Sequence, residues 1–237
     1  MILTIATLGK VVTMRTWAFV SQKGGSGKST LCTNLSVVAE QAGETCCIVD
    51  VDPQANALLW HERRGTNQPM VIEATYDKLA DVVAAAGTIG VTLVLIDTPG
   101  KIDAGALAAI KLADTIVCPT LGDLFSLGSI QSTVHLLETA EKLSSAVGVI
   151  NNIDTSGAKQ TIAEATAVLD SFTLNVAPVH IMHRRPFVSA IKRGKGVTET
   201  VPKGPASDEI KALWEILNKG AKAKPKGRAA KMERAAR

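Results

Sequence analysis

Gln22-Lys23-Gly24-Gly25-Ser26-Gly27-Lys28-Ser29-Thr30 is the stretch from which the fold of this 237-residue chain is read. The apolar run Trp17 to Val20 before it reads as a buried strand. Leu31 to Ala42 after it places Leu31, Leu35, Val38 and Ala39 at helical spacing. A glycine-rich turn between a strand and a helix aims several backbone N–H groups, and the positive helix end, at one spot. That geometry suits a polyphosphate. Gly24, Gly25 and Gly27 let the backbone close on the phosphates, with Ser26 and Thr30 in the same cradle. Lys28 adds a mobile positive charge near the β and γ positions, and Ser29 a hydroxyl for Mg2+.

Two more strand ends carry carboxylates. Thr45 to Val49 reads as a strand that runs into Asp50-Val51-Asp52-Pro53-Gln54, where Pro53 stops the ladder. Val91 to Ile96 reads as another, followed by Asp97-Thr98-Pro99-Gly100. In an open α/β sheet, the carboxyl ends of the strands form the edge where ligands bind. A buried strand ending in Asp97 there delivers a carboxylate to the metal of a bound nucleotide.

The phosphate-binding turn departs from the usual P-loop: Gln22 stands where that loop opens on glycine, and a second lysine, Lys23, follows it. K-G-G-x-G-K-[ST] in this form resembles the deviant Walker A box of the ParA/MinD family of ATPases. D-x-D-P-Q resembles the A′ motif of the same family, and the strand ending in Asp97 its Walker B. The resemblance covers Arg15 to Asn218 and implies ATP and Mg2+ as cofactors, with a homodimer in the ATP state. It further implies that Lys23 reaches across that dimer to the partner's nucleotide, and that Asp52 orients the attacking water. Ser29 and Asp97 would hold the metal. Small ParA proteins bind DNA non-specifically and segregate plasmid or chromosomal DNA. Their slow turnover is stimulated by a ParB-like centromere-binding partner.

The base is less directly marked. Asn151-Asn152-Ile153-Asp154 looks like the N-K-x-D box by which GTP-binding proteins read guanine, but its lysine is missing. In related ATPases an asparagine near this point contacts the base, so Asn151 and Asn152 are candidates for the pocket wall, and ATP is the expected nucleotide.

Positive charge concentrates late in the chain. Arg184, Arg185, Lys192, Arg193 and Lys195 fall within about three helical turns, near the segment the family uses for DNA. From Lys219 the tail carries seven further basic residues, Lys222 to Arg237, against the single acid Glu233, and reads as disordered. Together these regions predict a phosphate-backbone footprint without base-reading chemistry, and hence salt-sensitive, non-specific DNA binding. Between them, Ser207 to Asn218 forms a helix with Ile210, Leu213, Trp214 and Leu217 on one stripe. A MinD-like protein would lay such a helix on a membrane; the narrow stripe and neighbouring acids favour a helix packed on the sheet.

Composition agrees. With 46% hydrophobic residues and few aromatics, the chain can bury one α/β core, with helices on both faces of a mostly parallel sheet. Helices are expected at 55–63, 76–86, 104–112, 127–143 and 159–169, with strands at 70–74, 115–118, 146–150 and 175–181. The domain is expected to span 14–218, with 1–13 an upstream extension and 219–237 the tail. Cys32, Cys46, Cys47 and Cys118 form no C-x-x-C pair and read as small buried residues of a reducing compartment. No run of about 18 apolar residues suggests a membrane span, and the expected location is cytoplasmic, on the nucleoid. Two other readings share the scaffold: a MinD-like or cargo-positioning ATPase, and a metabolic ligase or reductase. No clustered cysteines or substrate motif support the latter.

Overall fold

A computed structural model describes residues 14–101 and 104–219. The leading segment and the tail from residue 220 lie outside the described residues. The strands, β1 (Arg15–Phe19), β2 (Cys46–Asp50), β3 (Met70–Glu73), β4 (Leu93–Asp97), β5 (Thr115–Thr120), β6 (Ala146–Ile150) and β7 (Asn175–Val176), form a single parallel sheet. Its order is β3-β2-β4-β1-β5-β6-β7. The strand carrying the glycine-rich turn is therefore central. β2 and β4 end beside it, and the register sets Asp50 opposite Asp97, and Asp97 opposite Phe19.

Helices cover both faces because strands buried on both sides have no polar face to show water. One face packs α1 (Lys28–Gln41), α2 (Asn56–Glu62), α7 (Arg185–Ile191), α8 (Val197–Thr200) and α9 (Pro205–Asn218) over Trp17, Phe19, Ile48, Leu93 and Leu95. The other packs α3 (Leu79–Thr88), α4 (Ala104–Leu112), α5 (Leu124–Thr139) and α6 (Ala158–Ser171) over Ala18, Val49, Val94, Ile96 and Ile116. The alternation of these two sets along each strand is the period-two pattern of a strand. All four cysteines are free and buried, as their placement in helix and strand predicts.

The apolar stripe of α9 is spent inside. Ile210, Leu213, Trp214 and Leu217 are all buried, and the Trp214 ring meets Trp17 of β1 with centroids 5.3 Å apart. This is the packed closing helix of the sequence reading. Among the described residues, no helix is long and apolar enough to cross a membrane.

Several segments differ from expectation, among them the helix expected over 76–86, which runs Leu79–Thr88. The strand expected over 175–181 pairs only at Asn175–Val176, because Pro178 cannot donate to the ladder; Ala177 and Ile181 still donate singly to Gly148 and Ile150. The helix expected over 127–143 runs earlier, Leu124–Thr139, and Glu141 at φ 56° then turns the chain away. The basic residues of 184–195 divide between helix and turn: α7 stops at Ile191, and Gly194 at φ 63° starts a tight turn into α8.

Candidate functional site

The loop between β1 and α1 folds as its glycines require. Gly25 and Gly27 take φ of 76° and 96°, where any side chain is strained. A Cβ on Gly27 would stand 2.1 Å from Nδ2 of Asn151, and one on Gly100 3.1 Å from the Gly24 backbone. The turn is thus pressed between the ends of β6 and β4. Thr98 ties it further, its hydroxyl donating to the Phe19 carbonyl at 2.6 Å.

Lys28 is 6% exposed, and its ammonium donates to the Ser21 and Lys23 carbonyls at 3.3 and 3.4 Å. Burial lowers its pKa, while Asp97 and Asp52 act in the opposite sense. Asp97 is fully buried, and neither carboxylate oxygen has a well-formed hydrogen bond among the described residues. Burial pushes its pKa up to about 7; the Ser29 hydroxyl and Lys28 pull it back, and Asp50 and Asp52 raise it further. A buried carboxylate with no well-formed hydrogen bond among the described residues, and a serine hydroxyl beside it, is the oxygen set a hard divalent cation takes alongside phosphates. Ser29 and Asp97 therefore fit Mg2+.

The two aspartates after β2 divide their work. Asp50 is buried and turned inward: Oδ2 accepts from the amides of Ala57 and Leu58 at 2.9 and 3.1 Å, and Oδ1 from Asp52 at 3.1 Å. It caps α2, whose first amides lack helical partners. Burial raises its pKa, against these three amides. Asp52 is half-buried and faces a cavity of about 810 Å3 with Gly24, Lys28, Ser29, Gln54 and Lys101. That volume is in the range of small-molecule sites. Lys23 is half-buried, does not line the cavity, and no partner holds its ammonium among the described residues.

The remaining candidates separate. Asn151 is 4% exposed and donates to the Ser26 carbonyl at 2.6 Å, so it braces the loop; exposed Asn152 meets His183 Nδ1 at 3.0 Å. Ser26 is buried inside the loop, whereas Gly24, Gly25, Gly27, Ser29 and Thr30 reach the cavity or its rim. Arg185, Lys192 and Arg193 are exposed and Lys195 half-exposed. Arg184 is committed to Glu209, donating from Nε and Nη2 at 2.9 and 2.7 Å. Sequence reasoning did not reach Tyr76, which lines the cavity and whose ring occupies the space a Gly105 Cβ would fill. Nor did it reach Arg64 and Trp60; their only sequence signal was helical spacing with the A′ motif.

Residues 17–213 match the model of the CobQ/CobB/MinD/ParA nucleotide binding domain. Among characterised relatives, Maintenance of carboxysome distribution protein A of Gloeobacter kilaueensis is 37% identical over 123 residues, which cover 51% of this chain and 56% of that protein. Chromosome-partitioning ATPase Soj of Thermus thermophilus is 27% identical over 156 residues, covering 53% and 62%. The aligned stretches thus span little more than half of these relatives. The structure of septum site-determining protein MinD with Mg-ADP from Pyrococcus horikoshii OT3 superposes with a TM-score of 0.71 at 19% identity, over 90% of this chain and all of that one.

Proposed function

This chain belongs to the CobQ/CobB/MinD/ParA nucleotide-binding domain family, and we propose that it works there as a ParA-like ATPase that pairs on ATP-Mg2+ and binds DNA non-specifically. Hydrolysis releases it. The observation that carries the reading is the division between its two loop lysines. Lys28 is buried and lines the cavity with Asp52, near enough to buried Asp97 to feel its charge, while Lys23 stands outside the cavity lining with its ammonium uncommitted among the described residues. One lysine serves its own site; the other is available to a second subunit.

In this reading the loop amides and Lys28 hold the triphosphate, and Ser29 and Asp97 would hold Mg2+, which would supply positive charge beside the phosphates. Asp52 orients the water. Lys23 of one subunit meets charge that develops on the other subunit's γ-phosphate, where a preorganised cation acts most strongly. Pairing doubles a modest basic surface, Arg185, Lys192, Arg193 and Lys195, and two linked weak sites hold DNA far better than one. Hydrolysis breaks the link. A ParB-like partner would accelerate that step, moving plasmid or chromosomal DNA in the cytoplasm.

The relative named for carboxysome distribution favours a second reading, in which the same cycle positions a protein cargo. Lys23→Ala in the full chain tests the shared core: ATP binding is retained, while ATP-dependent pairing and turnover are lost. Pairing and turnover equal to the parent would overturn the proposal. Co-sedimentation with a protein cargo but not with a centromere-binding partner would select the second reading.

A further inference from the structure

The turn that carries Lys192, Arg193 and Lys195 is fastened to both helices that leave the phosphate site. On the α1 side, buried Asn34 donates to the Thr30 carbonyl at 2.8 Å and accepts from the Val197 amide at 2.8 Å. Gly196 packs so closely on the same helix that a Cβ would stand 3.0 Å from Val37. On the α2 side, Trp60 Nε1 donates to the Lys195 carbonyl at 3.2 Å. Arg64, two residues beyond α2 and 9% exposed, donates to the Gly194 carbonyl at 3.0 Å and to both oxygens of Glu199 at 2.8 and 2.9 Å. Glu199 in turn accepts from the Gly196 amide at 2.8 Å.

No slack remains at this joint. Gly194 lies so near Arg64 that a Cβ would come within 2.3 Å of its backbone nitrogen, and the guanidinium sits 5.1 Å from the Trp60 ring centre. The same helix walls the cavity: Asp52, Gln54 and Asn56 line it at the start of α2, Leu59, Trp60 and Arg63 line it further along, and Asp50 grips the first α2 amides. Trp60 thus stands between the cavity it lines and the basic turn, and it and Arg64 both direct their donors to that turn.

We propose that Trp60 and Arg64 are positioning residues that make the basic turn answer to what fills the phosphate site. The inference rests on the reading above, in which that turn contacts DNA. The Asp52–Asn56 segment lines the cavity that would hold a γ-phosphate and its metal, and α2 begins within that segment. Because the turn is bonded to the far end of α2, a shift of the helix reaches Lys192, Arg193 and Lys195 without crossing a flexible link. Coupling of this kind needs a contiguous element that both sites bias, and α2 is that element.

Hydrogen exchange at residues 194–197 of the full chain tests it, with Mg2+ and either ADP or a non-hydrolysable ATP analogue. The parent is expected to be about tenfold more protected with the ATP analogue. Trp60→Phe keeps an aromatic ring and loses the Nε1 donor; Arg64→Lys loses the paired bonds. Arg64→Lys, outside the cavity lining, should bind the analogue within about twofold of the parent; both variants should lose the difference between the two nucleotides at saturating ligand, and their duplex affinity should fall about tenfold. A merely structural role lowers the melting temperature but leaves that difference in place. Equal exchange in both states of the parent, or a difference that survives in both variants, overturns the coupling. If the exchange result holds but duplex binding ignores charge reversal at Arg193 and Lys195, the DNA reading falls and the coupling stands.

Discussion

Asn151 holds the phosphate-binding turn from behind: its Nδ2 donates to the Ser26 carbonyl at 2.6 Å and fills the space beside Gly27 where a side chain would have to go. A residue whose position in an N-x-x-D stretch suggested base recognition is therefore a brace for the turn. Asn151→Ala is expected to weaken ATP and GTP binding alike, by roughly tenfold, the usual cost of leaving a buried carbonyl unpaired. Fluorescent analogues of both nucleotides check it. Gly27→Ala is expected to abolish binding, since it meets Asn151 and a φ of 96° together.

Lys28→Ala should lose nucleotide affinity by on the order of a hundredfold, because it strips a buried cation from beside the phosphates. Lys23→Ala should keep affinity within a few-fold. Calorimetric titration with the ATP analogue separates the two.

Asp97 makes stability depend on pH in an unusual sense. Its folded pKa, about 7, is above the usual carboxylate value, so the folded state holds the proton more tightly than the unfolded chain does. Without metal, stability is therefore expected to fall as pH rises from about 4 to 7, by at most roughly 4 kcal/mol, and to level off above. Mg2+ with nucleotide needs the ionised form and should restore the loss most fully at pH 8. Thermal melts of the parent and Asp97→Asn test this; the variant should lose the slope.

Charge reversal at Arg193 and Lys195 should weaken duplex binding and flatten its salt dependence, while ATP binding stays unchanged. Fluorescence anisotropy across a salt series reads both quantities.

Arg184 should behave differently from its neighbours. Its guanidinium is half-buried against Glu209, so Arg184→Ala is expected to cost about 1–3 kcal/mol of stability, seen in urea unfolding, with little change in the salt dependence of DNA binding.

The site was legible in the sequence where chemistry forces residue type onto a strand end. The glycines, Lys28, Ser29, Asp52 and Asp97 arrive at one edge because β1, β2 and β4 are parallel neighbours. Asp50 was legible as a carboxylate but not as a helix cap, since both aspartates share the same local pattern and only the turn after them decides which faces inward. The pairing of Arg64 with Glu199 joins residues far apart in the chain, and nothing local to either announces it. The last strand was over-read because its apolar run was weighed without the missing donor at Pro178.

The burial of every native thiol leaves the surface free for chemistry of the experimenter's choosing. Cys32, Cys46, Cys47 and Cys118 are shielded, and burial raises the pKa of each, to about 11 for Cys47 and about 12 for Cys118. The thiolate is the nucleophile, so native maleimide labelling will be slow until the molecule opens. A single cysteine placed on the exterior, for instance at Ser189, would take a dye without any background to subtract. The untouched four would then report, by their sudden reactivity, the moment the domain unfolds.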